Sequence, residues 1–112
     1  MTVKQLASAL SLKFLTQPDD AQAAREISGV YVGDLLSRAM SRVESDSLWI
    51  TIMSNVNVIA VATLADVACI LLAEGVTLAP DVRQTAEQKG INVYSSSKTA
   101  YELAACLADL LK

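Results

Sequence analysis

Between Leu48 and Gly75 the chain is apolar almost throughout, and one polar interruption falls inside it. Leu48-Trp49-Ile50-Thr51-Ile52-Met53 is rich in β-branched residues; Ser54-Asn55-Val56-Asn57 then breaks the run, and a second apolar stretch ends at Glu74-Gly75. A strand with apolar side chains on both faces has to be covered on both faces, which is the setting of a strand inside a parallel α/β sheet. The central stretch is therefore read as strand, turn, helix, strand, with a polar crevice at one end of the sheet.

The second half of that stretch has two readings. Local rules give a strand over Asn57 to Ala62, then a helix from a capping box at Thr63-Leu64-Ala65-Asp66 to Gly75. The other reading is a helix from about Val56 to Ala65, followed by a strand from Val67 to Ala73. Periodicity does not separate short apolar runs. The alternation of elements elsewhere favours the second reading, because parallel neighbours need a crossover helix.

The flanking segments supply that alternation. Thr2 and Gln5 have capping-box spacing, and Val3, Leu6, Ala7 and Leu10 mark one helical face. Leu12 to Thr16 alternates like a short strand, Gln17 to Ala21 is a turn, and the polar stretch to Glu26 reads as loop. Ile27 to Val32 is a second strand, ended by Gly33-Asp34, with Asp34 placed to cap a helix whose apolar face is Leu36, Ala39, Met40 and Val43. Glu44 to Ser47 is a polar turn. Pro80 opens a helix closed by Lys89-Gly90, Ile91 to Tyr94 is a strand, and Ser95-Ser96-Ser97 is a turn. A capping box at Thr99 and Glu102 starts a last helix along Ala100, Leu103, Ala104, Leu107 and Leu111. The fold class this predicts is α/β: a single domain over residues 1–112, with a parallel-rich sheet flanked by helices.

Composition narrows the partners. Hydrophobic residues make up 53% and charged residues 19%, so little polar surface is available to cover the core, and a homodimer with an apolar interface is expected. The net charge of -3 and the scattering of Lys and Arg argue against nucleic acid and against anionic membrane. Lys4 is followed at once by an amphipathic pattern, and Ser54, Asn55 and Asn57 keep the longest apolar run short of the ~18 residues of a spanning helix. A cytoplasmic protein is expected. Two cysteines without a histidine make no zinc site, and Cys69 and Cys106 read as reduced, buried thiols. No metal or other cofactor is predicted.

Four strings resemble the small stand-alone DRTGG-domain proteins in order and spacing: Ile27-Ser-Gly-Val-Tyr-Val-Gly-Asp-Leu-Leu-Ser37, Leu48-Trp-Ile-Thr-Ile52, Asn57-Val-Ile-Ala-Val-Ala62 and Lys89-Gly-Ile-Asn-Val93. That domain also accompanies CBS domains in inorganic pyrophosphatases, occurs in long phosphotransacetylases, and looks like the N-terminal domain of HPr kinase. The resemblance implies an α/β fold, dimer formation and a regulatory or ligand-sensing part; no enzymatic activity is established for the domain itself. It also implies a helix after the polar turn.

The chemistry legible in the residues agrees with a non-enzyme. There is no G-x-x-x-x-G-K-[ST] and no G-x-G-x-x-G, so a kinase activity would lack its nucleotide loop. Without histidine, neither Ser–His nor Cys–His chemistry is available. Ligands of open parallel sheets bind beyond the carboxyl ends of strands. The candidate binding residues are accordingly Asp34, Ser54, Asn55, Asn57, Glu74 and Gly75, with Ser95 to Ser97 ending a further strand; no catalytic residue is nominated. A helix beginning near Val56 presents N–H groups suited to an anion, while Ser54 and Asn55 would equally serve only as caps. The occupant is expected to be a small molecule or a protein partner, and a purely structural interaction module is the alternative. Trp49 is read as core, and Tyr31, Tyr94 and Tyr101 as half-buried.

Overall fold

A computed structural model describes all 112 residues. Eleven elements follow one another: α1 Val3–Ala9, β1 Lys13–Phe14, α2 Asp20–Ala23, β2 Gly29–Val32, α3 Leu36–Arg42, β3 Ser47–Thr51, α4 Val56–Ala65, β4 Cys69–Leu72, α5 Pro80–Lys89, β5 Val93–Ser95 and α6 Ala100–Leu110. The sheet has the order β1-β5-β4-β3-β2; β2 to β5 are parallel, and β1 joins β5 antiparallel.

The central stretch takes the helix-then-strand reading. Asp66 is the left-handed C-cap of α4 (φ 57°), not the fourth residue of a capping box. Thr63 instead sends its hydroxyl back to the Ile59 carbonyl within the helix, a bond that Ser and Thr make in helix interiors. Every residue of β3 and β4 is buried.

Strand alternation sorts these side chains into two cores. Leu48, Ile50, Cys69, Leu71 and Tyr94 face α1 and α6, meeting Val3, Leu6, Leu103 and Leu107. Trp49, Ile70, Leu72 and Val93 face the other way, onto Ala39 of α3, Val58, Ile59 and Ala62 of α4, and Val82 and Ala86 of α5. Trp49 is fully buried and donates its indole N–H to the Gly33 carbonyl at 3.0 Å, so its one polar atom is satisfied.

The two faces are unequally covered. Three crossover helices pack on one, while α6 and the short α1 serve the other. Val30 and Val32 of edge strand β2, on the α6 side, stay 37% and 48% exposed above a groove of about 370 Å³ shared with Ala104, Ala108 and Leu111.

Caps behave as their residue types dictate. Both capping boxes form, at Thr2–Gln5 and Thr99–Glu102. Pro80 opens α5, and Gly90 closes it in the left-handed region at φ 70°. Asp34 caps nothing: Leu35 holds the N-cap position of α3 without a side-chain bond. The segment read as loop before Glu26 contains the single turn α2, capped by Asp19. Met40 is 57% exposed, so Ala39 is the buried contact of α3. Tyr94 is core and Tyr101 is 83% exposed, departing in opposite directions from the half-buried expectation.

Two anchors were not visible in the sequence pattern. Asn92, buried, accepts the Asp19 N–H at 2.8 Å and donates to its carbonyl at 3.1 Å, fixing the turn after β1. Arg25 clamps the amino end of the sheet: its guanidinium donates to Asp46 Oδ1, to Asp66 Oδ1 at 3.1 Å, to the Asp66 carbonyl at 2.8 Å and to the Val67 carbonyl at 3.0 Å. Both aspartates are left-handed, at φ 65° and 57°.

Candidate functional site at the carboxyl rim

Four parallel strands bring their carboxyl ends to one edge of the molecule, and hydrogen bonds tie those ends into a row. Asp34, after β2, accepts the Thr51 hydroxyl at 2.8 Å and the Ile52 N–H at 3.0 Å. The Thr51 carbonyl takes the Ala73 N–H at 3.1 Å, and the Glu74 N–H reaches the Lys98 carbonyl at 2.8 Å. The row runs Asp34, Thr51, Ala73-Glu74, Lys98.

Its first half holds the polar turn of the central stretch. Thr51 is buried, and its hydroxyl both donates to Asp34 and accepts the Met53 N–H at 3.1 Å, which shapes the chain as it leaves the sheet. Asn55 is the N-cap of α4; its Oδ1 accepts the Asn57 N–H at 2.9 Å. Asn55 and Asn57 are exposed and Ser54 is half-buried. Asp34 thus lies beside the end of β3, in hydrogen-bonding contact with the residues that lead into the Ser54–Asn57 turn.

Glu74 and Gly75 belong to the second half. Both are left-handed, at φ 58° and 72°, and the Val76 N–H closes back on the Ala73 carbonyl at 3.2 Å. Two consecutive positive-φ central residues make a type I′ turn. Glycine meets that demand at the second position, and nothing lies within 4 Å of where its Cβ would stand. The Gly75 N–H donates to the Ser96 carbonyl at 2.8 Å, so this turn and the Ser95–Lys98 loop hold one another.

Here the topology opens. The chain leaves β2, β3 and β4 toward helices on one face, and leaves β5 toward α6 on the other. Adjacent strands whose exits diverge to opposite faces form a topological switch point, where open α/β sheets have a crevice. The β3–α4 turn has no such divergence, because β2, β3 and β4 exit to the same face. Between the ends of β4 and β5 lies a concavity of about 350 Å³, lined by Gly75, Thr77, Ser95, Ser96, Ser97 and Lys98, with Ser11 from the α1–β1 connection and Lys13 of β1.

Of the residues nominated from sequence, Gly75 lines this concavity and Glu74 sits at its edge, while Asp34, Ser54, Asn55 and Asn57 form the neighbouring group. Lys13, Thr77 and Lys98 were missed. Lys98 directly follows the serine run that marks the end of β5. Lys13 had no signal, since it reaches the rim only because β1 runs antiparallel and pairs Lys13 with Ser95.

Chemically the rim gathers hydroxyls, amides, carboxylates and ammonium groups. No group of three His, Cys, Asp or Glu side chains is gathered anywhere to hold a metal ion. No helix is long and apolar enough to cross a membrane. The two thiols are free; Cys69 is buried, and burial pushes its thiol up to about 12. Cys106 is only half-buried, against the expectation of two buried thiols.

Among curated proteins none is significantly similar to the chain. Among solved structures, the CBS and DRTGG domains of the regulatory region of Clostridium perfringens pyrophosphatase, complexed with the activator diadenosine tetraphosphate, have a similar fold, with a TM-score of 0.69 at 11% identity. The match covers 93% of this chain and 44% of that one, so this chain spans less than half of that regulatory region. The family model of the DRTGG domain matches residues 5–110, and the chain belongs to the DRTGG domain family.

Proposed function

We propose that the chain is a non-catalytic, ligand-sensing regulatory domain that acts as a homodimer, taking a small molecule or a partner's polar segment at the carboxyl rim. The observation that carries the regulatory part is membership of the DRTGG family, with a fold shared by a pyrophosphatase regulatory region that was solved with its activator. The rim supports the binding part: Asp34, Ser54, Asn55, Asn57, Glu74 and Gly75 lie along one edge, on loops held in place by strand ends. Sites on rigid supports bind without a large ordering cost.

The dimer half rests on the groove beside β2. That strand is the sheet edge, Val30 and Val32 are uncovered, and Ala104 and Ala108 of α6 permit close approach. A second copy related by a two-fold axis would bring the same apolar groove to itself, the self-complementary arrangement of most homodimers.

The test is a thermal-shift screen of the wild-type protein against nucleotides, diadenosine tetraphosphate and phosphorylated metabolites. A saturable rise in melting temperature is the expected result, and its loss in Asn57→Ala or Asn55→Ala would assign it to the β3–α4 half of the rim. A protein that answers to no compound in the panel would instead act as an interaction module without a ligand.

A further inference from the structure

We propose that the concavity between the ends of β4 and β5 is a phosphate subsite, which takes the phosphate group of a soluble phosphorylated small molecule. The inference rests on the ligand-sensing reading above and names the ligand class. Its first support is topology: this is the one pair of adjacent parallel strands whose exits diverge to opposite faces. Its second is the lining. Lys13 and Lys98 are the charged groups of the concavity, no acidic side chain lines it, and Leu10 is its single apolar residue. In a chain of net charge -3, neither lysine belongs to any of the five ion pairs. Two lysines and the hydroxyl residues Ser11, Thr77, Ser95 and Ser97 on the lining of one concavity are the residue types that make a donor set for a tetrahedral anion.

The third support is rigidity. The Ser96 N–H continues the ladder to the Leu72 carbonyl at 3.0 Å, the Ser96 carbonyl takes the Gly75 N–H, and the Lys98 carbonyl takes the Glu74 N–H. The Lys98 N–H turns back on Ser96 Oγ at 3.2 Å. The loop that carries the donors is therefore already ordered. Two acids stand nearby: Glu74 is exposed at the edge of the concavity, and Glu102 on α6 accepts the Thr99 N–H at 3.0 Å within the capping box.

At about 350 Å³ the concavity suits a headgroup, and the organic remainder has room nearby. Ser11 also borders a larger groove of about 890 Å³ on the other side of β1, where Phe14 lies 57% exposed.

The experiment is an amide-resolved NMR titration of the full chain at constant ionic strength, with inorganic phosphate, pyrophosphate and adenosine monophosphate as probes. Saturable shifts at Gly75, Ser97 and Lys98 are expected, with added shifts around Phe14 for the nucleotide only. The double variant Lys13→Gln/Lys98→Gln should bind about tenfold more weakly or worse, whereas Lys89→Gln, a lysine on α5 away from the rim, should bind as the wild type does. Both altered lysines are exposed, and the spectrum itself reports that the fold is kept. Absence of saturation, undiminished binding in the double variant, or shifts confined to Ser54 through Asn57 would overturn the phosphate subsite. In that last case the ligand-sensing reading stands; a wild type silent to the whole thermal-shift panel counts against that reading instead.

Discussion

The Glu74 N–H points at the Lys98 carbonyl from 2.8 Å away, and the Gly75 N–H points at the Ser96 carbonyl from the same distance. Two left-handed residues in succession are what aim both donors at the loop after β5. The turn is the clasp of the carboxyl rim, and its second residue carries the conformational demand.

Gly75→Ala should therefore destabilise the protein through the backbone alone, since the added methyl meets nothing within 4 Å. The expected loss is about 1 kcal/mol, the cost of a left-handed L-residue. Gly75→Val should lose more, because a β-branched side chain tolerates that region least. Urea denaturation measures both; equal stability of wild type and valine variant would contradict the assignment.

Arg25 is predicted to matter more than a surface arginine. Its side chain is 17% exposed and bridges two aspartates with the Asp66 and Val67 carbonyls. Asp46 and Asp66 are themselves 49% and 68% exposed, so solvent screening reduces the electrostatic part. Arg25→Ala should cost roughly 1–3 kcal/mol, mainly through lost charged hydrogen bonds. Arg25→Lys should recover only part of it, because an ammonium cannot reproduce the planar fork. Chemical denaturation of the two variants checks the order.

Acid should loosen two specific contacts. The Gln17 N–H, at 2.6 Å, and Arg83 hold the Glu87 carboxyl below its usual value of 4.5, and the Thr99 N–H and hydroxyl do the same for Glu102. A lowered folded-state pKa contributes stability that is present above the unfolded value and lost as pH falls through the folded one. Melting temperature should then decline below about pH 4.5, and Glu87→Gln with Glu102→Gln should flatten that decline. An unchanged acid limb in the double variant would refute the contribution.

The thiols should separate in alkylation. Cys69 is buried with its thiol pushed up to about 12 by burial, while Cys106 reaches the surface of α6. The thiolate is the reactive form, so the native protein should take one label, on Cys106, and the unfolded protein two. Mass spectrometry after native labelling reads this directly.

What was legible followed from local rules acting alone. Thr2, Thr99, Pro80 and Gly90 mark helix ends through their own backbone chemistry, and the all-apolar runs at Leu48 and Val67 demanded cover on both faces. The rim was legible as a set of strand ends, but not its division. That division depends on which face each exit takes, and the face of α6 is decided by the docking of Leu103 and Leu107 against Leu48 and Ile50, far away in sequence. Lys13 was invisible for a similar reason: the alternation of Leu12 to Thr16 marks a strand but not its antiparallel pairing with β5. Asp34 misled because an aspartate before a helix is usually a cap; here the buried Thr51 hydroxyl and the Ile52 N–H claimed its carboxylate instead.

The last prediction concerns the groove beside β2. Its apolar walls, Val30 and Val32 on one side and Ala104, Ala108 and Leu111 on the other, exist because α6 stops short of covering the edge strand. In a parallel ladder alternate residues bond to the neighbour, so β2, paired only with β3, leaves backbone groups free on its outer side. Two copies meeting edge to edge about a two-fold axis would run their β2 strands antiparallel and bring each α6 toward the other. Light scattering at micromolar concentration should accordingly return twice 11.9 kDa. Val32→Lys places a charge on the apolar edge strand, at a position 48% exposed in the single chain that would face its own symmetry mate in the dimer. It should yield a monomer with little change in melting temperature beyond the loss of association, since an exposed site away from the core usually moves stability by about 0.5 kcal/mol or less. Ala108→Glu should act in the same way from the helix side of the groove. A wild type that scatters as 11.9 kDa, or a dimer untouched by both substitutions, would remove this face from the account.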